Sequence, residues 1–364
     1  MVLILIISVF AGLEYLESSQ VAPEFFVGVE MAYAGAGFDD VEILVDKVKN
    51  YTNLFVIGSP EISFNVTLLN EACDYIYNSG LHFIVLFTRR EAYAYETFDW
   101  MHEAKQKYGE KFLGVYRYDE PGGNQLDRGR EMLIKNATGI TDASTRYTDA
   151  LGAIIGYYLN YSDQIFTADY GLYWFDYKSK YSAVFAEFGW NHSREINVAL
   201  CRGAATAYDR DWGAMITWTY DTYPYIDSPE NVYRDMVSAY TCGAKYVVIF
   251  DYPENYTYGI LTENHFEALE RFWNYSLSHP EEFGTRRAKV AYVLPRDYGF
   301  GFRRVDDTIW GLFGSDSQSD KAWIDVNRLV DLYGFGWDVI YDEPTVADAA
   351  QRRYERLIFW NETI

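Results

Sequence analysis

Apolar, β-rich runs alternate with amphipathic helical stretches along almost the whole chain, and this alternation limits the fold more than any other feature. Strand–helix–strand repetition is the pattern of parallel β/α units, because a parallel strand is reached only through a crossover long enough to return to the same end of the sheet. Eight strands are counted before about residue 280: 26–32, 54–58, 83–87, 112–118, 166–174, 182–188, 214–220 and 246–250. Helical periodicity fills the links at 40–49, 66–78, 97–108, 126–135 with 143–159, 193–208 and 231–240, and a helix over 263–278 closes the series. Only the link between the fifth and sixth strands is too short for a normal crossover. The strands are almost continuously hydrophobic, as expected of strands buried on both faces. The pattern predicts an α/β fold, a TIM (β/α)8 barrel over residues 23–284, with an open doubly wound sheet as the structural alternative.

After His279-Pro280 a new rhythm begins: strand 289–294, helix 321–333, strand 337–341, helix 346–354 and strand 356–360. This reads as part of a doubly wound, Rossmann-like or flavodoxin-like α/β domain over residues 285–364. A sheet that stops on a central strand leaves uncovered edges, so the sequence is expected to continue beyond Ile364.

Composition narrows the function. With 53 acidic against 31 basic residues the formal charge is −22, which repels nucleic acid and disfavours anionic lipid, leaving neutral or cationic partners. Residues 1–22 open with an apolar run to Leu13 and then turn polar, as a secretory signal peptide or a minimal N-terminal anchor does, although a basic leader is missing. Attachment to a membrane or envelope through this segment is compatible with that reading. Asn-x-Ser/Thr acceptors at Asn50, Asn65, Asn136, Asn160, Asn191, Asn255, Asn274 and Asn361 point the same way, to a secreted or cell-surface glycoprotein. Among three cysteines, Cys201 and Cys242 are placed to pair and Cys73 is left over. No metal site and no cofactor is expected: there is no Cys-x-x-Cys, no histidine ligand spacing and no Gly-rich phosphate loop opening a helix.

Catalytic groups in such barrels come from the carboxyl ends of the strands and the loops after them. There the inventory is acidic and aromatic: Glu30, Asp119, Glu120, Asp169, Asp176, Glu187, Asp221, Asp251 and Glu254. Serine or cysteine in a nucleophile motif is missing. Paired carboxyls are what glycoside hydrolysis needs, one to protonate the leaving oxygen and one to act as nucleophile or to activate water. Glu120 is the best candidate for the acid/base, because it follows the fourth strand directly and Pro121-Gly122-Gly123 enforces a sharp exit. Its partner is Glu187 or Asp221, with an ion pair to Arg117 as the alternative role for Glu187. Tyr173, Trp174, Trp190, Trp218, Tyr220 and Tyr252, with Glu30, Asp119 and Asp251, are the candidate substrate-binding residues, since flat rings at strand ends stack on pyranose faces.

Tyr118-Asp119-Glu120-Pro121 resembles the Asn-Glu-Pro signature of the large glycosidase clan that carries its acid/base on the fourth strand and its nucleophile on the seventh. The resemblance implies the acid/base role for Glu120. Asp119 stands where the clan has asparagine, which removes an amide donor to the sugar and sets a second negative charge beside Glu120; the seventh strand, ending Thr217-Trp218-Thr219-Tyr220-Asp221, lacks the clan's glutamate. The stretch from Lys289 resembles the amidotransferase-like α/β domain that follows the barrel in some β-galactosidases, without its Cys-His pair, which implies a structural or oligomer-forming role. The expectation is an extracellular glycoside hydrolase acting on an oligo- or polysaccharide. The rival is a non-catalytic carbohydrate-binding or cell-envelope protein on the same scaffold, and an oligomer is compatible with either.

Overall fold

The structure, a computed structural model, describes residues 24–33, 35–88, 93–252, 257–344 and 352–364. The leader over 1–22, Glu254, Asn255 and most of the helix expected at 346–354 lie outside these residues.

Eight parallel strands close into a barrel in chain order: β1 (Phe26–Met31), β2 (Leu54–Ile57), β3 (His82–Phe87), β4 (Phe112–Arg117), β5 (Ile165–Asp169), β6 (Ala183–Phe188), β7 (Asp211–Ile216) and β8 (Tyr246–Asp251). Closure is made by β8 on β1, with Phe26 opposite Tyr246 and Met31 opposite Asp251. The surrounding helices are α1 (Phe38–Val48), α2 (Pro60–Phe64), α3 (Val66–Asn78), α4 (Thr97–Tyr108), α5 (Pro121–Leu126), α6 (Ile140–Tyr158), α7 (Tyr173–Lys178), α8 (Arg194–Tyr208), α9 (Pro229–Thr241) and α10 (Glu263–Ser278). Side-chain caps start several of them: Asn65 accepts from the N–H groups of Thr67 and Leu68, Ser193 from Ile196, and Ser228 from Asn231. The longer helices bury an apolar stripe, as α1 does with Val41, Leu44, Val45 and Val48. None of the described helices is long and apolar enough to cross a membrane.

The period of two along each strand divides the apolar side chains into two cores. Val27, Val29 and Met31 face out and join the shell between strands and helices. Phe26 faces in, with Leu54, Val56, Ile84, Tyr116, Phe166, Phe185, Met215, Tyr246 and Val248. Phe26 stacks on Tyr246 at 5.2 Å and Phe166 on Phe185 at 5.8 Å, so the lower barrel is filled by rings. Carried to the carboxyl ends, the same alternation turns Glu30 of β1 and Glu187 of β6 inward.

Several boundaries differ from the sequence expectation. The aromatic run after β5 is not strand: the chain leaves the sheet at Asp169, and Tyr173–Lys178 forms the short helix α7, with Tyr173, Trp174, Phe175 and Tyr177 all buried. Aromatic density reads as β-propensity, but a helix enclosed on all sides needs the same residues. β7 ends at Ile216, which puts residues 217–220 in the loop beyond it. In place of a helix over 126–135, Pro121 opens α5 five residues earlier and turns follow it. Cys73, Cys201 and Cys242 are all buried and free. Cys201 does not pair with Cys242, because its thiol faces the Val184 carbonyl of β6 while Cys242 sits against Arg202 and Arg286.

A second parallel sheet holds β9 (Val290–Leu294), β10 (Trp337–Tyr341) and β11 (Arg356–Phe359) in the order β10-β9-β11, with α11 (Ser317–Tyr333) between β9 and β10. It packs on α8. The buried Arg202 guanidinium donates to Asp338 at 2.8 Å and to the carbonyls of Arg286, Phe335 and Trp337 at 2.8, 2.6 and 3.0 Å. The loop between β9 and α11 runs back to the barrel, where Gln125 donates to the Trp310 carbonyl at 2.9 Å and Arg303 pairs with Asp127 at 2.7 Å.

Candidate active site at the barrel mouth

The exit from β4 is held in an unusual backbone shape. Tyr118 and Glu120 have φ of 64° and 48°, left-handed values that non-glycine residues seldom adopt. The loop is fastened to β5 on both sides. Thr167 donates its hydroxyl to the Tyr118 carbonyl at 2.7 Å, and the Glu120 N–H donates to the Ala168 carbonyl at 3.1 Å. The Tyr116 hydroxyl donates to Asp119 and accepts from the Ala168 N–H at 3.1 Å. Beyond Pro121, the Asp169 carboxylate takes the N–H groups of Gly122 and Gly123 at 2.5 and 2.8 Å. Glycine is required at 122 by close approach, since a Cβ there would lie 2.3 Å from the Gly171 carbonyl; at 123 a Cβ would displace the Tyr170 ring, which lies 2.1 Å away.

These restraints set Glu120 against Glu187, close enough for the two carboxyls to act on each other directly. The backbone of Glu187 is fixed in turn, its carbonyl accepting from the Asn197 amide at 2.7 Å. Both carboxyls are raised well above the usual carboxylate range. Burial is the largest cause for each, followed by the Asp119 charge for Glu120 and by the Glu120 charge for Glu187. Burial likewise raises Glu30, with Asp119 and Glu120 adding to it. Glu30, Asp119, Glu120 and Glu187 line one enclosed cavity of 130 Å³, whose walls include Tyr116, Trp218 and Phe250. Two neighbouring carboxyls with raised pKa values on one cavity can supply one acid and one base to a bound molecule.

Glu120 also borders an open groove of 350 Å³ with Asp127, Tyr170, Trp190, His192, Arg303 and Arg304. A wider depression of 520 Å³ continues it past Trp190 and His192 to Tyr220. His192 is held neutral, its pKa lowered to about 4 by burial and then by Arg303 and Arg194.

This protein shares its fold with glycoside hydrolase barrels. A family 5 subfamily 18 glycoside hydrolase from Bifidobacterium longum subsp. infantis superimposes with a TM-score of 0.50 over 89% of this chain and 91% of that one, at 11% identity. An α-L-fucosidase isoenzyme from Paenibacillus thiaminolyticus matches at a TM-score of 0.49 over 92% of this chain and 64% of that one, at 9% identity. At these identities the likeness is one of fold. No protein-family model and no curated protein sequence matches the chain.

Of the residues singled out from sequence, the structure brings Glu30, Asp119, Glu120, Glu187 and Trp218 together in the cavity and places Trp190 and Tyr220 on the groove. Tyr252 packs on Trp218 and Phe250 behind the wall. The remaining ones are elsewhere. Asp221 is exposed on the loop after β7 and does not line the cavity. Tyr173 and Trp174 are buried within α7 itself, where the Trp174 indole donates to Glu343 at 3.3 Å. Asp251 is buried as a brace, accepting from the Tyr33 hydroxyl at 2.6 Å and the Ile260 N–H at 2.9 Å. Arg117 does not pair with Glu187; it stacks on Tyr118 and Tyr158 outside the barrel, at 5.8 and 5.3 Å. The residues that sequence reasoning missed are Tyr170, His192, Arg303 and Arg304, of which the arginines arrive from the second sheet's long loop. Asn50, Asn65, Asn136, Asn160, Asn191, Asn274 and Asn361 are all exposed.

Proposed function

We propose that the protein is a glycoside hydrolase in which Glu120 is the general acid/base and Glu187 the nucleophile. The observation that carries this reading is the convergence of the half-buried Glu120, from the exit of β4, and the buried Glu187 of β6 on one cavity. Inverting enzymes separate their carboxyls by about 6.5 to 9.5 Å to admit a water, whereas retaining ones hold them about 5 to 5.5 Å apart. Carboxyls close enough to act on each other directly leave little space for that water, which supports a reaction of the retaining kind. Glu187 attacks the anomeric carbon as Glu120 protonates the departing oxygen; Glu120 then takes a proton from the water that releases the sugar.

Glu120 stands at the junction of the enclosed cavity and the open groove, which suits an acid that serves the bond between a ring inside and a leaving group outside. Trp190 and Tyr220, both exposed, offer stacking faces for further sugar rings of an oligo- or polysaccharide. The exposed sequon asparagines agree with a secreted or cell-surface glycoprotein, with residues 1–22 as leader or anchor. The strand order β10-β9-β11 is the 2-1-3 beginning of a flavodoxin-like sheet, so residues 285–364 are read as part of a doubly wound domain added to a barrel over 23–284.

The test is hydrolysis of a panel of aryl glycosides and polysaccharides by the wild type, Glu120→Gln and Glu187→Gln. Turnover that collapses in both variants supports the reading. Saturable glycan binding with no turnover on any substrate replaces it with the carbohydrate-binding alternative.

A further inference from the structure

Of the four carboxyls on the cavity the proposed reaction uses two, Glu120 and Glu187, and leaves Asp119 and Glu30. Glu30 is 3% exposed and lines the same cavity as Glu120 and Glu187. Asp119 is held there by the Tyr116 hydroxyl, and Glu120 and Glu187 act on each other. Glu30 has no hydrogen-bond or ion-pair partner among the described residues. A buried carboxyl without a partner is costly to keep, and a neutral glutamine would fill the same space more cheaply.

Its place is nevertheless built. Gly58, the residue after β2, makes room for it: a Cβ at 58 would lie 2.2 Å from Glu30 Oε1 and 2.8 Å from its Cγ. Any side chain there would push the carboxyl out of its position. Among the described residues no lysine, arginine or histidine lines the cavity. At longer range the formal charge of −22 draws cations toward the molecule. A cation that arrives with the ligand would supply the partner that the described residues do not.

We propose that the sugar ring bound in this cavity carries a protonated amine, which pairs with Glu30, so that the substrate is a glycan of amino sugars with free amino groups. This rests on the glycoside hydrolase reading of the cavity. A hydroxyl in the same position would satisfy a glutamine or a protonated carboxyl equally well, whereas an ammonium uses the charge that distinguishes glutamate. Pairing with the amine also shifts Glu30 to its ionised form, reversing the effect of its acidic neighbours.

The experiment compares kcat/KM for matched aryl glycosides that carry, at one sugar carbon, a free amine, its N-acetyl form or a hydroxyl. The series is run on the wild type, Glu30→Gln and Glu120→Gln. The wild type is expected to favour one amine over its hydroxyl and N-acetyl counterparts by about tenfold or more, as a charge-assisted hydrogen bond permits. In Glu30→Gln the ratio of amine to hydroxyl rates should fall toward one, whatever happens to the absolute rates. As a second measurement that needs no variant, free amino sugars should inhibit the wild type more strongly than their parent sugars. If glycosides are hydrolysed and Glu120→Gln abolishes it, but no amine is preferred, the inference is overturned and the hydrolase reading stands. An amine preference that survives intact in Glu30→Gln also overturns it. Absence of hydrolysis on every member overturns both.

Discussion

The carboxyls of Glu120 and Glu187 converge on one cavity although they come from the exit of β4 and from β6, strands that are separated in the barrel by β5. β5 itself ends in Asp169, whose carboxylate fixes the turn that carries Glu120. The pair is thus positioned by the strand between its members.

Removing either member should stop the proposed chemistry with little effect on the fold, because glutamine preserves the volume. Glu120→Gln and Glu187→Gln are each expected to lower kcat by at least about 10² to 10⁴, the usual worth of a positioned proton-transfer group. Proton NMR of the first product released by the wild type should show the anomer of the substrate. Appearance of the opposite anomer would exclude Glu187 as nucleophile.

The pH profile should report the charge next to Glu120. Asp119 raises the Glu120 carboxyl, second only to burial. Asp119→Asn removes that repulsion and retains an oxygen to accept from Tyr116. The Glu120 pKa then falls, and because activity is lost when the acid gives up its proton, the alkaline limb of kcat/KM should move to lower pH. A limb that does not move would mean that Glu120 is not the group it reports.

The candidates that converge on the cavity could be named from the sequence because they stand at the carboxyl ends of counted strands. Glu30 and Glu187 are the last inward residues of their strands, and Glu120 follows β4 beside a Pro-Gly-Gly exit, so counting strands and alternating faces was enough to find them. Asp221 was misplaced because β7 ends at Ile216, and the aromatic residues that appeared to continue it belong to a loop. Tyr173 and Trp174 show the same limit: aromatic density does not distinguish a ligand-facing rim from a buried helix. Arg303 and His192 were out of reach for another reason. They meet only because the loop from β9 folds back over the mouth, a long-range contact that local pattern does not encode. The barrel was legible since eight β/α units leave few other closures, but the docking of the second sheet on α8 depends on Arg202, whose partners are 84 to 136 residues away.

Asp251 should make stability depend on pH in a definite direction. Burial raises its carboxyl to about 7, against the lowering effect of hydrogen bonds from Tyr33, Ile260 and Leu261. In the unfolded chain it titrates near 3.9, roughly. Between these values the folded state keeps a proton that the unfolded state has released, so its contribution is fully present below about pH 4 and is lost as pH rises to about 7. A shift of about three pKa units corresponds to something of the order of 4 kcal/mol. Asp251→Asn cannot titrate and should flatten that part of the curve. Urea midpoints measured from about pH 4.5 to about pH 7.5 on both proteins test it. An equal slope in the two would show that Asp251 is ionised in the fold across this range.

The last prediction concerns how the second sheet is held. Arg202 is buried on α8, with Asp338 accepting from it and three carbonyls completing its donors. Tyr354 donates to the other Asp338 oxygen at 2.8 Å. A buried pair of this kind adds little over an apolar replacement, but losing one partner strands the other without water. Asp338→Leu alone should therefore destabilise the protein by about 3 to 5 kcal/mol, because the guanidinium keeps its charge in a buried place. The double change Arg202→Met with Asp338→Leu should recover much of that loss, since both charges leave together. The carbonyls of Arg286, Phe335 and Trp337 would then be short of a donor, so recovery stops below the wild type. Denaturation of the two single variants and the double variant gives the coupling energy directly. Additive losses would show that the two residues act independently, and that the sheet is held on α8 by its apolar contacts alone.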